Sequence, residues 1–217
     1  KSKPYTPKRD YLTKEPTYAD IRSVFCGQRP LMKGAGKTAA LSRDHQITVS
    51  GSGLISITGG KWTTYRRMAE DTVNVAVQRA DLPMKPSVTA ALPIHGYLEE
   101  TDFESELYYY GTDQEHILAM VKEEPSLGEQ IHDHFPYIKA EIYWAVKEEM
   151  CMMIEDFLAR RSRMLFLDAK ASAEAAPLVA QLMATMLHKD EAWIRQQVDA
   201  YNLLAKNYLP TDKSTNV

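Results

Sequence analysis

The sequence predicts an α+β protein: a short strand hairpin and a helix, followed by a mostly α-helical carboxy-terminal part. Three observations predict it. "HQITVSGSGLISIT" reads as two strands around the turn Ser50-Gly51-Ser52-Gly53, where glycine supplies positive φ. From Thr64 the period changes, and Tyr65, Met68, Ala69, Thr72, Val73, Ala76 and Ala80 fall at three- and four-residue steps, one face of a helix. Charge is split as well: residues 1–67 hold 13 Lys/Arg against 4 Asp/Glu, and residues 98–156 hold 3 against 16. Such asymmetry marks two differently built parts, and the boundary is drawn between residues 86 and 87.

The elements follow in order. Residues 1–17 are basic and punctuated by Pro4, Pro7 and Pro16, a loop. "IRSVFCG", residues 21–27, has the apolar content of a strand. A Gly- and cation-rich loop follows, then the hairpin and its helix, which Pro83 and Pro86 end. "VTAALPIHGYLEE" is a connector. Helices are expected from Asp113 to about Lys122, from about Tyr137 to Leu158, from near Ser172, and from Asp190, a good N-cap, to near Tyr208.

With 217 residues and 44% hydrophobic content the chain can fill a core. It has no run of about 20 apolar residues and no signal-peptide pattern, so a cytoplasmic protein is expected. It starts Lys1-Ser2-Lys3-Pro4, which suggests a segment of something longer. Cys26 and Cys151 lie far apart, which indicates neither a zinc cluster nor a disulfide framework. A net charge of −3 and no aromatic interleaving of the basic part argue against nucleic acid.

Several motifs have bland readings. "GAGKT", residues 34–38, lacks the glycine a phosphate loop needs five positions before Gly36; Leu31 stands there. "HDH", residues 132–134, has no third metal ligand and reads as a surface loop. His95, His116 and His188 carry no constellation, and Met150, Met152 and Met153 read as core filler.

"FCGQRPL", "LSRDH" and "GGKWTTYR" form a different set. Each places a cation, Arg29, Arg43 or Lys61, beside a strand end or turn. Gly59 and Gly60 let the backbone approach a ligand closely. The helix that follows offers its positive end to an anion, and arginine forks suit phosphate or carboxylate. These residues alone leave open whether the site binds an anion or is simply a basic surface.

These stretches, with "ISITGGKWTTYRRMAEDTVN" and "WAVKEEMCMMIEDFLARRSRMLFLDAKASAEAAPLVAQLM", resemble the FAD-dependent glycerol-3-phosphate dehydrogenases of the aerobic bacterial and mitochondrial type. The resemblance runs from about Tyr18 to about Tyr208. It implies oxidation of sn-glycerol 3-phosphate to dihydroxyacetone phosphate, with a hydride passing to the flavin and electrons going on to a quinone. It also implies that residues 1–86 are the end of an FAD/substrate-binding domain and residues 87–217 an α-helical C-terminal domain. The family's dinucleotide fingerprint, G-x-G-x-x-G, is absent here, so the chain alone is expected neither to hold FAD nor to turn over substrate.

By resemblance, Arg29 is the catalytic residue at the reacting end of the substrate, Arg43 holds the phosphate, and Lys61 reaches substrate or flavin. Gly59, Gly60, Trp62 and Thr63 line the flavin edge by backbone, and Thr64 caps the helix. The gap between Arg-Pro-Leu and Ser-Arg, "MKGAGKTAA", lacks the long insertion of the glycerophosphate oxidases, which favours the dehydrogenase. No calcium-binding EF-hand pattern follows Tyr208. The reading leaves room for a homodimer and for peripheral attachment of the parent to the cytoplasmic membrane. Two alternatives remain: another FAD-dependent amine or hydroxy-acid oxidoreductase, whose carboxylate substrate would also suit Arg29 and Arg43, and a non-catalytic helical interaction or dimerisation module.

Overall fold

The computed structural model describes residues 13–14, 16–27 and 45–210. The chain divides into two compact units: Gly27–His95, and Lys1–Cys26 together with Gly96–Val217. It is α+β, with a small two-stranded sheet in the first unit and helices dominating the second.

In the first unit, β1 (His45–Val49) pairs antiparallel with β2 (Ile55–Gly59), from His45 opposite Gly59 to Val49 opposite Ile55. The turn closes on Ser50: its N–H donates to the Leu54 carbonyl at 2.9 Å, its carbonyl accepts from the Gly53 N–H at 3.0 Å, and its hydroxyl accepts from the Leu54 N–H at 3.0 Å. Gly53 takes φ 87°, which the turn needs and a side chain resists. A 3₁₀ turn, Trp62–Thr64, leads into α1 (Tyr65–Arg79). The helix stops when Asp81 turns left-handed and the Leu82 N–H reaches back to the Val77 carbonyl, just ahead of Pro83. No residue of α1 is fully buried.

The second unit contains α2 (Gln114–Glu123), α3 (Lys139–Glu148), α4 (Met164–Leu167), α5 (Ala169–Leu187) and α6 (Glu191–Lys206). Its main core closes around Ile142, Ile154, Phe157, Leu158, Met164, Leu165, Val179 and Met183. Ala171, Ala175, Ala176, Ala180 and Ala184 on α5 are all buried, and such small side chains let neighbouring helices approach closely. Asp168 caps α5, its carboxylate accepting from the Ala171 N–H at 3.0 Å. Asp190 caps α6 in the same way, accepting from the Trp193 N–H at 2.9 Å. His188 ends α5 in the left-handed region at φ 53°.

Three expectations are corrected. The single helix over residues 137–158 is broken, because α3 ends at Glu148 and Met150 turns left-handed at φ 55°. The Cys151 N–H then bonds the Ala145 carbonyl at 3.0 Å, closing the helix end. Asp156 restarts the chain by accepting from both the Met152 and Met153 N–H groups at 3.0 Å, and a π-helical turn follows over Asp156–Arg161. Arg161 locks the break, its Nε donating to the Glu149 carboxylate at 2.8 Å and Nη1 to the Asp156 carbonyl at 3.0 Å.

The three methionines are not core filler. Met150, Met152 and Met153 are 83%, 51% and 43% exposed, because the break turns them outward. Cys151 between them is the buried member, and burial pushes its thiol up to about 12.

The expected strand over residues 21–27 is an extended strap instead. Its backbone bonds go to the helical unit: the Val24 N–H donates to the Tyr208 carbonyl just past α6 at 2.8 Å, and the Ala169 N–H donates to the Arg22 carbonyl at 3.3 Å. Side chains add to this. Arg22 pairs with Asp168 at 3.0 Å, the Ser23 hydroxyl donates to the Leu165 carbonyl at 2.7 Å, and Phe25 stands edge-on to Phe166. This places the strap with the helical unit, and the boundary seen in the contacts falls at residues 95/96.

A buried carboxylate organises the smaller core of that unit. Glu141 accepts from the Ile138 N–H at 2.7 Å, from the Tyr110 hydroxyl at 3.2 Å and from the Tyr109 hydroxyl. Burial raises its pKa against these bonds, and it raises both tyrosines as well, with Glu141 adding to the shift.

Candidate functional site

The candidate site is the turn from β2 into α1. Gly59 and Gly60 both take positive φ, 79° and 74°, which only glycine accepts without strain. Lys61 is extended and exposed. The turn is tied by Thr64: its hydroxyl accepts from the Lys61 N–H at 3.2 Å and donates to the Lys61 carbonyl at 3.0 Å. Thr64 therefore does not cap α1 with its side chain, as expected, but locks the turn ahead of it. Its hydroxyl is committed to the lysine main chain, so it cannot reach the helix N–H groups.

The second glycine has a reason the sequence did not reveal. A Cβ at Gly60 would lie 2.4 Å from the Met68 sulfur and 3.4 Å from the His45 Cβ. Gly60 is thus where the helix closes on the hairpin. His45 faces Gly59 across the sheet, and its Nε2 lies 3.0 Å from the Asp71 carboxylate on α1. Arg67 holds the other Asp71 oxygen at 3.2 Å. His45, Met68 and Asp71 were missed because they become neighbours only when strand and helix pack. The i,i+4 spacing of Arg67 and Asp71 was the one local signal.

Trp62 is 88% exposed, with Tyr65 tilted beside it at 5.9 Å between ring centroids. Lys61, Trp62 and Thr63 all lie at the surface, and first-turn N–H groups have no acceptor within their own helix. The turn therefore offers bare glycine backbone, an exposed ammonium and an exposed aromatic ring. That set fits one edge of a planar, acceptor-rich heterocycle such as a flavin.

Arg29 and Arg43 lie outside the described residues. Among the described residues, no group of three His, Cys, Asp or Glu side chains is arranged to hold a metal ion. His132 and His134 bond carboxylates instead, Glu174 at 3.2 Å and Asp168 at 3.5 Å. Burial pushes Asp168 upward, but the Ala171 N–H, His134 and Arg22 outweigh it and hold its carboxyl below the usual range.

Residues 45–194 match the family described as the C-terminal domain of alpha-glycerophosphate oxidase. The human mitochondrial glycerol-3-phosphate dehydrogenase is 34% identical over 215 residues, covering 88% of this chain and 29% of the relative. A probable mitochondrial glycerol-3-phosphate dehydrogenase of Caenorhabditis elegans is 36% identical, covering 88% of this chain and 30% of the relative. Among solved structures, the glycerol-3-phosphate dehydrogenase of Bacillus halodurans complexed with FAD superposes with a TM-score of 0.62 at 26% identity. That match covers 79% of this chain and 38% of the other. The chain thus spans less than a third of the length of these curated relatives.

Proposed function

The chain belongs to the family of the C-terminal domain of alpha-glycerophosphate oxidase, and on that premise we propose that it is the carboxy-terminal part of an FAD-dependent glycerol-3-phosphate dehydrogenase. The observation that carries the proposal is the 34% identity to the human mitochondrial dehydrogenase across 88% of this chain, a span that takes in the Gly59–Thr64 turn. In this reading residues up to about 86 close a flavin and substrate domain, and the remainder is its helical partner. The wall built by Gly59 to Thr63 takes the flavin edge, and the other wall belongs to the rest of the parent. On its own the chain is inactive.

When bound, FAD supplies a two-electron acceptor for oxidation of the secondary alcohol of sn-glycerol 3-phosphate to dihydroxyacetone phosphate. This chain's residues bind and orient. Arg43 holds the phosphate dianion through its guanidinium fork. Arg29 faces the reacting carbon and stabilises negative charge developing on its oxygen. The Lys61 ammonium, presented beside glycine backbone, adds positive charge between substrate and cofactor.

Quinone is the proposed electron acceptor, supported by the short gap over residues 32–40. A homodimer and peripheral membrane attachment remain part of the proposal on resemblance alone. No helix among the described residues is long and apolar enough to cross a membrane.

The test is oxidation of glycerol 3-phosphate by the full-length, FAD-loaded protein with a soluble quinone analogue. Activity is expected, and Arg43→Ala should raise KM for glycerol 3-phosphate by at least tenfold, since a hydrogen bond to a charged group is worth about 1.5–3 kcal/mol. A full-length flavoprotein inactive on glycerol 3-phosphate but active on an amine or 2-hydroxy acid would sink the proposal.

A further inference from the structure

We propose that His45 and Asp71 form a positioning pair that holds the Gly59–Lys61 turn in the shape the flavin edge requires. The inference rests on the proposed function above. Three independent observations converge on it. His45 is the first residue of β1 and stands directly opposite Gly59. Its Nε2 reaches the Asp71 carboxylate at 3.0 Å, with both side chains largely shielded from water, 20% and 26% exposed. Gly60 is wedged between His45 and Met68, so any shift of α1 along the hairpin moves the turn with it.

The turn needs such a device. Gly59 and Gly60 have no side chains to lock them, and the Thr64 bonds fix Lys61 only to its own helix start. The His45–Asp71 contact is a polar tie between the hairpin and α1. Arg67 holds the remaining Asp71 oxygen and so orients the carboxylate toward the imidazole. A group displaced by about 1 Å can cost a reaction about 100-fold, and sites fail when their supporting contacts are loose.

The test uses the full-length flavoprotein with His45→Ala, His45→Gln and, as a control, Val73→Ala. Glutamine carries its amide N–H at about the reach of imidazole Nε2 and can keep the bond. Val73 lies on the same helix as Asp71 and is 58% exposed. Four quantities are read: the FAD dissociation constant from flavin fluorescence, kcat and KM for glycerol 3-phosphate, and Tm.

His45→Ala is expected to weaken FAD binding and lower kcat, each by about tenfold, with Tm within about 2 °C of wild type. His45→Gln should recover most of both losses, and Val73→Ala should match wild type. Wild-type FAD affinity and kcat in His45→Ala overturn the inference. So do equal losses in His45→Ala and His45→Gln, equal losses in Val73→Ala, or losses that follow a fall in Tm. If the wild-type protein holds FAD but does not oxidise glycerol 3-phosphate, the proposed function fails, while the FAD comparison still decides the role of His45.

Discussion

The two units bury their apolar residues to very different degrees. In the helical unit Phe157, Leu158, Ile142, Met164 and Leu165 are sealed from solvent. In the hairpin unit α1 buries no residue completely, and Trp62, Tyr65, Val73 and Leu54 are all exposed. The first is a domain with its own core. Among its described residues the second has two short strands and one α-helix, too few layers to enclose a core. The lesson is that a turn can be locally well built, with register, side-chain bonds and ion pairs in place, inside a unit that encloses no core among its described residues.

The sharpest way to break this comparison is to separate the units. Residues 96–210 expressed alone should keep a helical circular-dichroism spectrum with cooperative melting. Residues 45–95 alone should not, because an isolated hairpin and a 15-residue helix are each marginal in water. Cooperative folding of the shorter piece would erase the distinction.

Single truncations give the next largest contrast. Phe157→Ala should cost about 3–5 kcal/mol in urea unfolding, the usual range for emptying a buried aromatic site. Val73→Ala, at a position 58% exposed, should fall within about 0.5 kcal/mol. Gly60→Ala should lie between, at about 1–2 kcal/mol, because it combines positive φ with a Cβ pressed on Met68.

The pH dependence of the helical unit tests its buried carboxylate. Burial raises the folded-state pKa of Glu141 above its ordinary value of 4.5, so the folded chain favours the protonated form. The contribution is fully present below 4.5 and is lost as pH rises through the folded-state value. Glu141→Gln should flatten that decline in Tm measured from pH 4 to pH 8. The smallest effect is expected at the strap. Arg22→Ala removes an ion pair whose arginine is 61% exposed and should cost no more than about 1 kcal/mol by thermal melting.

Much of the fold was legible because its signals are local. Ser50 to Gly53 announced a hairpin turn, the change of period at Thr64 announced α1, and Asp190 announced α6; the structure places each within a residue or two. The illegible elements were those where distant groups compete. Apolar periodicity runs unbroken through residues 142–158, yet Arg161 and Asp156 reach back and break the helix. "IRSVFCG" has strand composition, but its backbone groups meet Ala169 and Tyr208, and its Ser23 hydroxyl meets Leu165. Of the candidate site, the glycine turn and Lys61 were readable as a motif. His45 and Asp71, 26 residues apart, were not.

By itself the sequence determined the helical periods, the cap at Asp190, the glycine-bearing hairpin turn and the motif set that identifies the family. Each of these depends on residues within one or two turns of the chain, where steric and hydrogen-bonding preferences act directly. Only the tertiary structure decided which glycine is a packing contact, where the long helix breaks and which methionines face water. It also decided that Glu141 is sealed among tyrosines. Those outcomes depend on which surfaces meet, and burial and pairing across long sequence separations leave no periodic trace in the chain.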